Sequence, residues 1–368
     1  MKFLINRSDA IGDLLLTLPM ARAIKDYFPD AKVFFIVSER CAPLVENHPD
    51  INGIYTFKKG RHFLNNVLKL KKIFNEVKPN YYFYVGGSSL VSLAAFLKRV
   101  KFRGGILSRF FNFFYLNHGV RQKRSFVTQH ETMYNLELLY PLGEGFKNID
   151  PQKYGPMLNV PDEFANSSYS DFKEDVKQSI GGVAADKPMI FIHPGMTGHT
   201  LNWSSRNYAR FILRMEKKYS GKYLYVVSYT PGDERFLTGL RSELSQKDNK
   251  QRLCDSLYFF DGSKRGLSHY MGVLKHAKLF LGPSTGTTHI ANILKVKVIG
   301  IYSPIKVQSA RRWGPFNRDQ DFLSIVTPDI VCGEVVKCAG NSCPYYECMD
   351  KIEVNDILLE ASKLLDEK

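Results

Sequence analysis

No acidic residue occurs between Glu76 and Glu131, while Lys78, Lys98, Arg99, Lys101, Arg103, Arg109, Arg121, Lys123 and Arg124 all fall inside that gap. The chain also lacks long apolar runs. None approaches the roughly 20 residues that a membrane-spanning helix needs, and Lys2 and Arg7 leave no apolar stretch at the start for a secretory leader. A cytoplasmic address is the expectation. Gly-x-Gly-x-x-Gly is missing after every predicted strand, as is Gly-x-x-x-x-Gly-Lys-Ser/Thr, which speaks against a dehydrogenase-type dinucleotide site and against a P-loop. Tight Cys-x-x-Cys pairs are missing too, so a zinc ribbon has no support.

What is present is the composition of an ordinary soluble globular protein, with 44% hydrophobic and 24% charged residues. A length of 368 residues exceeds one compact core and makes two domains the natural expectation. The net charge of +15 and the aromatic stretch Ile106 to Leu116, bracketed by cations, attract anionic partners: phosphorylated lipid headgroups or nucleic acid. No recognised nucleic-acid motif accompanies the charge, which sets nucleic acid aside. The plainer reading is a solvated basic face over a partly buried aromatic helix.

Hydrophobic patterning predicts strands at residues 2–6, 32–37, 53–57, 81–85 and 102–106, with helical stretches between them such as 14–27. The alternation restarts with strands at 189–193, 223–228, 257–260, 279–282 and 297–302. Residues 206–219 place Tyr208, Phe211, Ile212, Met215 and Tyr219 on one helical face, capped by Ser204 or Ser205. Residues 163–180 read as a helix in the transition between halves, and 354–365 as a closing amphipathic helix. Such alternation argues for two mostly parallel sheets covered on both faces.

Ligands of open α/β sheets bind beyond the carboxyl ends of the strands. Asp13, Gly195 and Ser284 all sit at such ends. The segment Gly282-Pro-Ser-Thr-Gly-Thr-Thr-His289 combines small residues with a helix start, whose free N–H groups suit a phosphate or diphosphate. An ordinary N-cap uses the same residues.

Three segments together resemble glycosyltransferase family nine, the bacterial heptosyltransferases of lipopolysaccharide core synthesis. They are Asn6-Arg-Ser-Asp-Ala-Ile-Gly-Asp13 with the following Leu-Leu-Leu-Thr-Leu-Pro19, then His193-Pro-Gly with Trp203 ahead of the next helix, then Thr285-Gly-Thr-Thr-His289. The resemblance implies an α/β GT-B architecture of two facing Rossmann-like domains: an acceptor domain over 1–170, a nucleotide-sugar domain over 171–350, and a helix over 351–368 packing back toward the first. It implies inverting, metal-independent transfer of heptose from ADP-heptose to a lipid A–Kdo or core oligosaccharide acceptor, by an enzyme peripheral to the inner face of the cytoplasmic membrane and meeting its anionic surface. No nucleic acid and no required cofactor enter that picture. Another nucleotide sugar, a protein acceptor, or a non-catalytic relative that keeps the nucleotide pocket are the alternatives.

Within that likeness Asp13 matches the catalytic carboxylate, the base that takes the acceptor hydroxyl proton; capping the next helix is its bland role, and Asp9 is the less favoured base. Donor contacts fall to His193, Pro194, Gly195, Trp203, Ser284, Thr285, Gly286, Thr287 and His289. Acceptor anions fall to Arg7, Ser8, Arg99, Lys101, Arg103, Arg121, Lys123 and Arg124. Two positions depart from the family pattern: Leu201 stands where many members have Lys, and Ser284 where they have Asp. His199, Arg206 and Lys264 are the candidates for the missing cation.

Cys332, Cys338, Cys343 and Cys348 fall within seventeen residues at spacings of six, five and five. Four thiolates so close can hold a structural zinc or iron; reduced loop thiols are the alternative, and a cytosolic setting disfavours disulfides.

Overall fold

The structure is a computed structural model that describes residues 1–150, 153–196, 198, 200–316, 319, 321–333 and 335–366. Two compact units divide the chain, Met1–Asn159 and Val160–Lys368.

In the first unit, β1 (Lys2–Arg7) leads to α1 (Ile11–Leu15), α2 (Pro19–Tyr27), β2 (Lys32–Val37) and β3 (Gly53–Thr56). Then α3 (Phe63–Val77), β4 (Tyr81–Gly86), α4 (Leu90–Leu97), β5 (Phe102–Ile106), α5 (Asn112–Tyr115) and β6 (His118–Val120) follow. Helices α6 (Glu131–Glu137) and α7 (Glu144–Lys147) close the unit. The sheet is parallel in the order β3-β2-β1-β4-β5-β6. Its central strand is apolar on both faces, with Phe3, Leu4 and Ile5 fully buried, as a sheet covered by helices on both sides requires.

The second unit opens with α8 (Asp162–Ile180) and α9 (Gly182–Ala185), then β7 (Met189–Ile192), α10 (Ser205–Lys218), β8 (Leu224–Tyr229), α11 (Glu234–Leu244) and α12 (Lys247–Arg252). It continues with β9 (Leu257–Asp261), α13 (Gly266–Leu274), β10 (Leu279–Pro283) and α14 (Gly286–Ile293). The last elements are β11 (Lys297–Ile301), α15 (Ala310–Trp313), β12 (Leu323–Val326) and α16 (Val354–Asp366). Its sheet is again parallel, in the order β12-β11-β10-β7-β8-β9. Counted from each unit's own first strand, both orders are 3-2-1-4-5-6, the doubly wound Rossmann order.

The predicted strands all form, and the structure adds two, β6 and β12. Both are edge strands, of three and four residues. The helix expected over 14–27 is two helices. Pro19 has no N–H to continue α1 and instead starts α2 at its first position. The division between units precedes α8, ahead of the boundary expected at 170. The reason is packing: Ala165, Ser168, Phe172 and Val176 of α8 are buried, and a Cβ at Gly272 of α13 would stand 2.7 Å from Ser168. A bare Gly272 lets the two helices close together.

Helix α16, for which the resemblance implied a return toward the first unit, buries Val354, Ile357, Ala361 and Leu364 in the core of the second. That core also takes Tyr208, Phe211, Ile212 and Met215 from α10. No helix among the described residues is long and apolar enough to cross a membrane.

Candidate functional site

In a 3-2-1-4-5-6 sheet the chain turns in opposite directions from the first and fourth strands, which opens a crevice at their carboxyl ends. In the first unit those strands are β1 and β4, in the second β7 and β10. The three motifs read from the sequence leave the sheets at the ends of β1, β7 and β10, and the fourth end, that of β4, carries Gly86 and Gly87.

At the first of them, Arg7 ends β1 opposite Gly86. Its guanidinium is 5% exposed, donates to the Val85 carbonyl at 2.9 Å, and pairs with Asp13 Oδ1 from the first turn of α1. Arg7 Nε also lies 2.9 Å from Asp9 Oδ1, a charge contact without hydrogen-bond geometry for either atom. Asn6 donates to the Gly86 carbonyl at 2.7 Å. A Cβ at Gly86 would stand 2.7 Å from Asp9 Oδ2, and one at Gly87, where φ is +85°, 2.3 Å from Ser8 Oγ. Only glycines allow the β1 and β4 loops to approach so closely. The Thr17 hydroxyl donates to the Asp13 carbonyl at 2.8 Å, while Asn135 of α6 donates to the Leu16 carbonyl and to Thr17. Asp13 is thus held at both ends, with its side chain about a quarter exposed (24%).

Two further cations border this loop. Arg40 donates to the Asp9 carbonyl at 3.1 Å. Arg109 faces the Tyr84 phenol, whose hydroxyl donates to the Gly87 carbonyl at 3.0 Å, and its charge opposes the rise in the phenol's pKa that burial causes. Neither was among the candidate residues. Each follows a strand end by three residues, and that position was the available signal.

In the second unit, His193 leaves β7 buried, with Nδ1 3.0 Å from the Ser228 carbonyl. A carbonyl only accepts, so Nδ1 carries the proton. Burial pushes the imidazole below its ordinary value, against the pull of Asp233, and His193 is neutral. A Cβ at Gly195 would stand 2.3 Å from Asp233, and Asp233 accepts from the Thr230 backbone and hydroxyl, both at 2.8 Å. The Pro194 carbonyl accepts from Asn202 at 2.8 Å.

At the end of β10, Ser284 is 8% exposed and leads into α14. Thr285 is the N-cap, but its side chain caps nothing: the hydroxyl meets Thr287 Oγ1 at 2.8 Å and the Pro283 carbonyl at 3.4 Å. The first-turn N–H groups of α14 are therefore left without a side-chain cap, in contrast to α10, where Ser204 accepts from Asn207. Thr288 donates to the Pro283 carbonyl at 2.5 Å, and His289 is buried within the helix. An uncapped helix start beside small residues is a site for an anion.

Several predicted residues lie elsewhere. Arg7 is spent inside the protein on Asp13, Asp9 and Val85 and does not reach outward to an acceptor. Arg124 pairs with the buried Glu131 and also holds Gln122 and Asn135; Arg103 donates to the Tyr115 and Val100 carbonyls. Both are engaged inside the first unit, Arg103 by backbone carbonyls and Arg124 by side chains of or near α6. Lys101 precedes β5 and Arg99 lies just before it, at the amino end of a parallel strand. That end is roughly 13 Å from the carboxyl end where ligands bind. Arg121 and Lys123 lie exposed beyond the carboxyl end of β6, and Ser8 sits against Gly87. Trp203 is 2% exposed, stacks edge-on against Tyr208, and donates to the Ile352 carbonyl at 3.0 Å. It is a core residue that pins the segment before α16 to the start of α10.

Leu201 packs on the same core, so its position offers no cation. His199 lies outside the described residues. Arg206 is exposed at the start of α10, and Lys264 is exposed beyond β9. The guanidinium of Arg235, which sequence reasoning missed, lies beside Gly198: its Nη2 stands 2.6 Å from where a Gly198 Cβ would be.

Cys332, Cys338, Cys343 and Cys348 do gather, lining one cavity of about 410 Å³ with Val331, Val335, Tyr345 and Tyr346. All four are free thiols, and burial together with their mutual proximity pushes Cys332 and Cys348 up. Among the described residues no three His, Cys, Asp or Glu side chains converge as a metal site. A structural zinc or iron therefore has no ligand set among the described residues, and the four side chains stand as free thiols around an apolar cavity.

Comparison with known proteins follows the same lines. The family model of glycosyltransferase family 9 (heptosyltransferase) matches residues 94–330. A Haemophilus influenzae protein provisionally named a glycosyltransferase is 25% identical over 332 residues, 89% of each chain. Lipopolysaccharide heptosyltransferase 3 of Escherichia coli K12 is 21% identical over 313 residues, 82% of each chain. Among solved structures, E. coli ADP-heptose heptosyltransferase II aligns with a TM-score of 0.77 at 16% identity, covering 99% of this chain and 98% of the other. At that identity the likeness concerns the fold, which is GT-B.

Proposed function

The chain belongs to glycosyltransferase family 9, the heptosyltransferases, and from that membership we propose that it transfers heptose from ADP-heptose to an inner-core acceptor of lipopolysaccharide, with inversion and with Asp13 as the base. The observation that carries the reading is the fixed Asp13 carboxylate at the β1–β4 switch point, one oxygen engaged by the buried Arg7 and the side chain still open to solvent.

In this reading the acceptor hydroxyl attacks the anomeric carbon on the face opposite the diphosphate. Its proton passes to Asp13 as the new C–O bond forms. An ordinary aspartate, with a pKa near 3.9, is ionised at neutral pH but is a weak base, so orientation rather than basicity must make it effective. The bond from the anomeric carbon to the phosphate oxygen breaks with its electron pair on that oxygen, and ADP leaves. The uncapped start of α14, with the hydroxyls of Ser284, Thr285 and Thr287, is the group of donors suited to that charge. Arg235 beside Gly198 takes the part of the cation that Leu201 does not supply. Arg40 and Arg109 are the groups for the acceptor's phosphates or carboxylates, at the inner face of the cytoplasmic membrane that carries it. No step of this scheme calls on a metal.

A different nucleotide sugar is the second reading, favoured by Leu201 and Ser284, which replace a cation and an anion of the family pattern. Release of nucleotide from ADP-heptose, UDP-sugars and GDP-sugars, with a truncated lipid A–Kdo acceptor, separates the two. We expect turnover with ADP-heptose and a loss of about 10³-fold in kcat for Asp13→Asn, the scale of one general base, with donor binding retained. Turnover by another donor alone moves the specificity; full activity of Asp13→Asn removes the base.

A further inference from the structure

The aromatic stretch after β5 is inverted. In α5 and the turn before it, Phe110, Phe111, Phe113 and Phe114 are 71%, 57%, 45% and 63% exposed, while the polar Asn112 between them is fully buried and donates to the Ile106 carbonyl at 3.3 Å. The rings pack on one another rather than on the core: Phe110 meets Phe111 and Phe114 edge to face at 5.7 and 5.5 Å. Phe96 and Leu97 at the end of α4 extend the same exposure. Monomeric proteins rarely leave so many contiguous large apolar side chains in water without a partner for them.

The surrounding charge identifies the partner. Arg121 sits over Phe113 at 5.3 Å and Arg103 over Phe96 at 5.6 Å. Lys98, Arg99, Lys101 and Arg109 are exposed nearby in sequence, and no carboxylate falls between Glu76 and Glu131. A second copy docking on this face would bring cations against cations. Aromatic rings with cations set over and beside them match the interface of an anionic bilayer, where rings enter the headgroup region and Lys and Arg side chains reach back to lipid phosphates.

We propose that α5 and its flanks, led by these four phenylalanines, form a docking surface for an anionic phospholipid bilayer. The inference deepens the reading of a membrane-borne acceptor and rests on it for its setting, but vesicle binding requires neither donor nor acceptor, so either can fail alone.

The test is sedimentation of the full chain with vesicles of phosphatidylcholine, alone or mixed with phosphatidylglycerol. Wild type is expected to partition onto the mixed vesicles and not the neutral ones, and less so in high salt. The double variant Phe110→Ser/Phe114→Ser should lose at least about tenfold in partitioning, while Phe110→Leu/Phe114→Leu keeps most of it. Unchanged thermal midpoints establish that both variants fold. Absence of binding to the mixed vesicles, equal binding by the serine variant, or a dimer that the serine variant abolishes would each overturn the proposal; the last would give the face to a second copy.

Discussion

One oxygen of Asp13 is committed to Arg7, so the orientation of the carboxylate depends on a guanidinium that the surface scarcely exposes. Arg7 in turn has Asp9 and the Val85 carbonyl as its other partners. Removing it leaves two carboxylates close together at the end of β1 with no cation between them, and breaking such a pair costs about 3 kcal/mol where the ion is buried. Arg7→Ala is therefore expected to lower the stability of the first unit by about 2–3 kcal/mol in a denaturant titration and to reduce kcat as Asp13 loses its orientation. Arg7→Lys should recover most of the stability and little of the kcat, because a point charge cannot hold two carboxylates and a carbonyl at once. Equal loss of both in the two variants would reduce Arg7 to a fold residue. Asp13 could be read from the sequence because its position after a strand and before a helix has a chemical meaning. Arg7 was taken for an outward anion binder, because the sequence does not state which way the last residue of β1 turns.

At the scale of the element, α10 and α14 begin with the same residue types and differ in what caps them. Ser204 accepts from the Asn207 N–H, whereas the Thr285 hydroxyl turns back to Pro283 and Thr287. Loss of a side-chain cap costs about 1 kcal/mol. Ser204→Ala should therefore destabilise by about 1 kcal/mol with the donor KM unchanged. Thr285→Val, which removes a hydroxyl that caps nothing, should leave stability nearly as it was and raise the donor KM about tenfold, the worth of one hydrogen bond to a charged group. The reverse pattern would make α14 an ordinary helix start. Its Ser-Thr-Gly sequence was legible as either, since cap and anion site use the same residues; the direction of one hydroxyl shows that Thr285 does not act as a side-chain cap, and the two variants test what the bare helix start does instead. Trp203 was ambiguous in the same way, and the Ile352 carbonyl that it meets lies 149 residues away, beyond any local pattern. The ten other strands were legible from their apolar runs. The edge strands β6 and β12 were not, because partners rather than periodicity make them.

The molecule as a whole carries +15, yet its response to mild acid should come from neutral histidines. His48 in the first unit and His193, His269 and His276 in the second are all held below the ordinary value of 6.5, chiefly by burial. Below about pH 6.5 the unfolded chain binds protons at these positions and the folded chain does not, so stability falls as pH drops. The lowered carboxyls of Asp162 and Glu360 act with the same sign but at lower pH, since their contribution is lost only as pH falls through folded values below 3.8 and 4.5. The window from 6.5 toward 5 therefore belongs to the histidines. Both tryptophans, Trp203 and Trp313, lie in the second unit, and their fluorescence follows its unfolding by urea. The midpoint is expected to fall between pH 7.5 and pH 5.5, and to fall less in His193→Asn, which cannot charge. High salt separates the cause from self-repulsion of the basic surface. It shortens the screening length from about 8 Å to about 3 Å between 0.15 M and 1 M, which weakens repulsion between exposed cations but leaves the cost of charging a buried imidazole in place. A pH dependence that persists at 1 M salt and shrinks in His193→Asn assigns it to burial; one that disappears with salt assigns it to the net charge.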